Sequence, residues 1–173
     1  MAADSMINIY ERPVVGGARK VRRLKAGGGE ALVGAAGTSG ILAVVGNLLT
    51  LPDPPAAGED PAPWAEAVAL QATRLAVEHS LLDDGRMDCT LLLGWAGRLW
   101  TLSHATAIPH PDGIAALGSG EGPALGAIDA MLALHPDMPP QELLGRALKI
   151  ATRRDRDTAG PVWLELLPAD QPG

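Results

Sequence analysis

The chain has 173 residues, 47% of them apolar and 20% charged, with a formal net charge of −6. That length suits one domain with a real core, and the acid excess argues against general nucleic-acid affinity, which needs clustered surplus cations. The single cysteine, Cys89, excludes an internal disulfide, no apolar run nears the roughly 18 residues of a membrane span, and Asp4, Glu11 and Arg12 interrupt any secretory leader. The expectation is a cytoplasmic protein with one domain over residues 1–173, of which 168–173 form a tail, and with neither nucleic acid nor membrane as partner.

In chain order, residues 6–24 read as extended, with MINIY alternating and Gly16-Gly17 a turn. Gly27-Gly28-Gly29 is a second turn, and ALVGAAG after it is a short buried strand. Thr38 or Ser39 can cap the next helix, GILAVVGNLLTL. Residues 52–63, PDPPAAGEDPAP, form a Pro-rich acidic loop, expected to be mobile. Pro63 to about Leu82 has Trp64, Val68, Leu75 and Ala76 at helical spacing, and Asp83-Asp84-Gly85 closes that helix. CTLLLGW and RLWTLS make a hairpin around Ala96-Gly97. HATAIPHPDG is a loop leading to IAALGSG, another short strand. Gly122 to Leu134 is a third helix, with Leu125, Ile128 and Leu132 on one side. A fourth begins near Asp137 with prolines in its first turn and runs through Leu143, Leu144, Ala147, Leu148, Ile150 and Ala151. PVWLELL is a last strand. Strands and helices in blocks indicate α+β, with two packed sheets and helix pairs outside.

Taken singly, the chemistry-bearing residues have ordinary explanations. Lys20 in RKVRR reads as a solvated basic strand edge, and Asp4 as a turn residue. Gly37 and Gly118-Ser119-Gly120 read as turn glycines, and no GK[ST] follows GSGEG to make a phosphate loop. Asp155 and Asp157, interleaved with arginines, read as a solvated helix end. His79, His104, His110 and His135 lack metal-ligand spacing, so no metal or other cofactor is expected. Cys89, at a strand start, reads as a small buried apolar residue, and Trp95 and Trp100 read as core or subunit contacts.

Five words change this as a set: AADS, ARKVRRL, LVGAAGTSG, ALGSGEGPALGAID and ATRRDRDTAG, in that order. Together they resemble a proteasome β-type subunit, and KVRRL is most similar to the bacterial HslV (ClpQ) kind. The resemblance runs from Ala2 to about Leu167 and is weak over residues 50–90. It implies the αββα four-layer sandwich of the N-terminal nucleophile hydrolases. It also implies a homo-oligomeric ring whose sites face an inner chamber, protein or peptide as substrate, and an unfoldase ATPase as partner. In such proteins an N-terminal threonine attacks the peptide carbonyl with its own α-amine as base.

Residue by residue, Lys20 resembles the family's catalytic lysine and Asp4, sixteen positions earlier, its aspartate partner. Gly37 resembles the glycine whose N–H receives the oxyanion, and Ser119 the serine beside the nucleophile. Asp155 and Thr158 resemble the acid and hydroxyl that support that serine and the threonine's amine. Thr158-Ala159-Gly160 departs from the family's serine and two glycines: the hydroxyl is kept at Thr158 but its side chain gains a methyl.

A second departure is larger. AADS resembles the end of the family's first hairpin, and the strand that carries the threonine is absent from the sequence before it. Ser5 is the only serine or threonine ahead of Thr38, and processing before Ser5 would discard Asp4. Two explanations follow: a start placed too far downstream, or a subunit without a nucleophile. The first is favoured, because loss of the strand would leave sheet groups unpaired. The expectation is therefore a threonine-type endopeptidase subunit. The alternatives are an inactive structural or regulatory ring subunit and a hydrolase of small amides.

Overall fold

The computed structural model describes residues 1–9, 12–14, 19–38, 40–84, 86–87 and 89–168. Its elements are β1 (Ala2–Ala3), β2 (Ile7–Ile9), β3 (Arg12–Val14), β4 (Val21–Ala26), β5 (Gly29–Gly37), α1 (Gly40–Leu48), α2 (Ala62–Glu78), β6 (Leu82–Asp83), β7 (Arg86–Met87), β8 (Cys89–Trp95), β9 (Arg98–Ser103), β10 (Thr106–Pro109), α3 (Glu121–Leu134), α4 (Pro140–Arg154) and β11 (Trp163–Leu164). The class is α+β. The chain divides into two compact units, one of Met1–Val21 with Ala116–Glu165, the other of Arg22–Ala115 with Leu166–Gly173.

The second unit is built on a five-stranded sheet, ordered β10-β9-β8-β5-β4. β8 alternates in burial, and Leu91 and Leu93 are fully buried beside Val33 of β5 and Leu102 of β9. Each such aliphatic side chain contributes about 1.5–3 kcal/mol by leaving water. α2 covers this core with Trp64, Ala65, Val68, Ala69, Ala72 and Ala76, a stripe of small residues that lets the helix lie close. Trp64 packs on Trp95 at 4.8 Å with the rings tilted by 43°, and meets Trp100 edge-on at 6.4 Å, while its indole N–H donates to the Pro52 carbonyl. Both tryptophans of the hairpin are therefore core residues. The turn between β8 and β9 is Ala96-Gly97 with φ of 46° and 75°, the left-handed pair that matches hairpin twist.

The first unit pairs α3 with α4 and sets β1 antiparallel to β11, Ala2 opposite Leu164 and Ala3 opposite Trp163. A second small ribbon pairs β2 with β3. Leu143, Ala147 and Ala151 form the buried stripe of α4. α3 buries Ala124, Ala127 and Ile128, so only Ile128 of its expected stripe is fully covered.

Several element boundaries differ from expectation. α2 stops at Glu78, four residues early, and Leu82 lies in a strand. Ser80 takes the left-handed conformation with φ 56°, its N–H bonds to Val77 O, and Leu81 N–H reaches back to Ala76 O. That closes the helix in a Schellman motif without the usual glycine. HATAIPHPDG is not all loop: β10 lies within it, joined to β9 by a tight turn at His104-Ala105 with φ of 48° and 61°. IAALGSG forms no strand, and the final strand shrinks to Trp163–Leu164. α4 begins at Pro140, not Asp137. The expected turn at Gly16-Gly17 and a cap at Ser39 lie outside the described residues, as does Gly85. No helix among the described residues is long and apolar enough to cross a membrane.

Candidate active site

Asp4 follows β1 directly, so its position is set by the pairing of that strand with β11. The ribbon continues through Met1, whose nitrogen donates to Glu165 O at 2.7 Å while Glu165 N–H donates to Met1 O at 2.9 Å. The Asp4 side chain is 12% exposed and that of Lys20 is 21% exposed, and Lys20 Nζ donates to Asp4 Oδ1 at 2.8 Å. Water and salt screen a pair so sheltered less than they screen a surface bridge. The other oxygen, Oδ2, accepts Met6 N–H at 2.9 Å, a local turn, and Ala159 N–H at 3.4 Å, across the fold. Ser5 N–H in turn donates to Ala159 O at 3.3 Å. The carboxylate is thus held by three donors and presents a fixed anion to the lysine.

A second cluster forms where α4 ends and α3 begins. α4 runs out at Arg154, and Asp155 at its C-cap points an oxygen at two hydroxyls. Ser119 Oγ donates to Asp155 Oδ2 at 2.6 Å, and Thr158 Oγ1 donates to the same oxygen at 2.5 Å. These bonds favour the ionised form: Ser119's first, then Thr158's, hold the Asp155 carboxyl below its ordinary value of 3.8 against a small opposing effect of burial. Each hydroxyl spends its single proton on Asp155, so its lone pairs remain for a donor. The cluster is an acceptor face, suited to an amine or ammonium group.

Gly120 is what allows this closeness. A Cβ on it would sit 2.6 Å from Thr158 Oγ1. Its own φ of −80° is open to any residue, so the requirement is space and not conformation.

Of the six residues singled out in the sequence, five lie in the first unit and are gathered into these two groups: Asp4 with Lys20, and Ser119 with Asp155 and Thr158. Gly37 lies in the second unit, at the end of β5, opposite Cys89 in register. Its φ of 112° is a conformation suited to glycine, and there the strand turns toward α1. Sequence reasoning missed Ala159, whose amide joins Asp4 to the segment bearing Thr158. An alanine with only backbone to offer gives no signal in composition. It also missed that Ser5 is fully buried, with its hydroxyl unpartnered among the described residues. Among the described residues no three His, Cys, Asp or Glu side chains gather as a metal site.

The fold these elements make is shared with proteasome-like proteins of the HslV and Anbu kind. It is shared, over 94% of this chain and 88% of the other, with the Thiobacillus denitrificans protein BPH, solved in complex with epoxomicin, at a TM-score of 0.75 and 19% identity. Eukaryotic HslV from Trypanosoma brucei matches over 95% of this chain and 90% of its own, with a TM-score of 0.62 and 20% identity. Anbu, an ancestral β-subunit from Yersinia bercovieri, matches over 93% of this chain and 73% of its own, with a TM-score of 0.69 and 18% identity. No family model and no curated protein matches the sequence.

Proposed function

We propose that this chain is a subunit of a proteasome-like, self-compartmentalising peptidase that cleaves proteins in the cytoplasm. The observation that carries the reading is the Lys20–Asp4 pair, a sheltered cation held on a fixed anion. In this reading the ammonium of Lys20 lowers the proton affinity of a hydroxyl nucleophile. The nucleophile is a threonine borne on polypeptide ahead of Met1, because Ser5 is enclosed and cannot reach a substrate. Its α-amine takes the hydroxyl proton as the oxygen bonds to the peptide carbonyl carbon. The acceptor face of Ser119, Asp155 and Thr158 orients that amine. Gly37 N–H receives the oxyanion. Collapse expels the leaving amine with the proton, and water hydrolyses the ester that remains.

Partners follow from the same reading: further copies of the subunit in a ring, and an unfoldase ATPase that delivers substrate. An Anbu complex from Pseudomonas aeruginosa is a helical assembly, which supports self-association of this subunit as well. The test is the intact mass and N-terminal sequence of the endogenous protein, followed by peptide hydrolysis with Lys20 replaced by Met. A mature chain led by threonine, active with Lys20 and at least a thousandfold slower without it, is expected. A mature chain that starts at Met1 or Ala2 and hydrolyses no peptide would assign the fold to a structural ring subunit.

A further inference from the structure

We propose that Asp4 is a positioning residue that couples Lys20 to Thr158, so that the two halves of the site respond to one another although they share no bond. For its catalytic consequence the inference rests on the peptidase reading. Its physical content does not.

The route is short. Lys20 Nζ sits on Oδ1 of Asp4, and Ala159 N–H sits on Oδ2 of the same carboxylate. A carboxylate is a rigid plane, so a rotation that follows the lysine must carry the second oxygen with it. Ala159 is joined to Thr158 by a planar peptide, and the Ala159 nitrogen belongs to that plane. Thr158 in turn places its hydroxyl on Asp155 Oδ2, which also holds Ser119. Lys20, Asp4, Ala159, Thr158, Asp155 and Ser119 thus form one chain of contacts. Among the described residues, neither Lys20 nor Asp4 bonds directly to Thr158.

The distances say where this chain is sensitive. The Lys20 and Met6 bonds to Asp4 are 2.8 and 2.9 Å, in the strong range, whereas Ala159 is held at 3.4 Å through its N–H and at 3.3 Å through its carbonyl to Ser5 N–H. A bond at the outer edge of hydrogen-bonding distance fails with a displacement of a few tenths of an ångström. The short bonds anchor the carboxylate and the long one reports its orientation. Removing the lysine frees Oδ1, the carboxylate turns about its Cβ–Cγ bond and carries Oδ2 with it, and of the two bonds on Oδ2 the longer one, to Ala159, is released first. Asparagine cannot substitute at Asp4. Its amide offers one acceptor where two opposite faces both present donors, so either Lys20 or Ala159 would meet an NH₂ group.

The experiment is amide hydrogen exchange at Ala159 by NMR in the full chain, with the Leu102 amide as a reference in the other unit. K20M is expected to speed Ala159 exchange about tenfold while Leu102 exchange is unchanged, a local opening and not a global one. D4N is expected to do the same, and adding K20M to D4N should change nothing further. Unchanged Ala159 exchange in K20M, or K20M and D4N effects that multiply, overturns the proposal. Where D4N does not fold, D4E takes its place: the longer arm reaches Lys20 but displaces the second oxygen, so Ala159 exchange rises with the lysine present. Full protection of Ala159 in D4E overturns it equally. In the active peptidase, D4N and T158V are expected to lower kcat with KM held, and their combined loss to be no greater than that of D4N alone. Losses that multiply refute the coupling. A protein that hydrolyses no peptide refutes the functional reading and leaves the exchange result to decide this one.

Discussion

Replacing Gly120 by Ala tests the packing of the acceptor face through the sign of its effect. Gly120 has φ −80° and ψ 3°, a backbone that alanine adopts without strain. On entropy alone the substitution should stabilise the fold by about 0.4–1 kcal/mol, since glycine costs more to order. The added Cβ would lie 2.6 Å from Thr158 Oγ1, while Thr158 Cβ and Ala151 Cβ would be in ordinary contact at 3.5 Å. Only the hydroxyl must move, and moving it breaks its bond to Asp155 Oδ2. A bond to a charged acceptor is worth about 1.5–3 kcal/mol, taken at the low end because Asp155 is partly solvated. The net expectation is a loss of about 1 kcal/mol, or a fall in Tm of about 3 °C for a chain of this length. Urea unfolding of the full chain measures it. In a T158A background the obstruction is gone, and G120A should there be neutral or stabilising. A stabilising G120A in the parent protein, or the same loss with and without Thr158, would refute the reasoning.

Three further outcomes are expected. Asp155 has its folded carboxyl held below 3.8, so its contribution to stability is complete above the unfolded value and is lost as pH falls through the lower folded one. D155N should therefore flatten the loss of stability below about pH 4 seen in an acid titration followed by urea unfolding, and an acid limb identical to the parent's would count against these bonds. Leu91→Ala empties a fully buried site in β8 and should cost about 3 kcal/mol in the same assay, with a loss under 1 kcal/mol showing that the sheet does not carry the core. Arg19 lies 4.9 Å over the ring of Trp163, and R19A should alter the emission of that tryptophan at a cost below about 1 kcal/mol; an unchanged spectrum would mean the pair does not persist in solution.

What could be read from the sequence depended on whether a physical signal was local. The apolar runs of β5, β8 and β9 were visible because Leu91, Leu93 and Leu102 must be buried whatever else happens. The Ala96-Gly97 turn was visible because glycine marks it. Helix α2 ran too far in the sequence reading because its stop is a serine at φ 56°, and composition does not flag serine as a left-handed cap. β10 was hidden for the same reason: His104-Ala105 makes a tight turn without glycine. IAALGSG was misread because its apolar character looked like a strand, while the short loop leading into α3 offers it no partner.

The candidate site was legible in a different way, through spaced words and not through periodicity. Asp4, Lys20, Ser119, Asp155 and Thr158 were all named before any geometry, and five residues far apart in sequence form two bonded groups. What the words do not carry is the backbone: nothing in AADS or RDRDTAG says that the Ala159 amide rests on Asp4. The departure at Thr158 illustrates how side chain and backbone settle together. A serine there would have a hydroxyl free to choose among three rotamers, whereas a β-branched threonine is stiff about χ1. Thr158 is only 6% exposed, so the added methyl is enclosed by its surroundings. Enclosing the methyl fixes the hydroxyl, which points toward Asp155 and past the bare Cα of Gly120. The extra methyl therefore aims the acceptor face and does not disturb it. The same argument makes Gly120 more exacting here than it would be beside a serine, because a stiff hydroxyl cannot turn aside for a Cβ without breaking its bond.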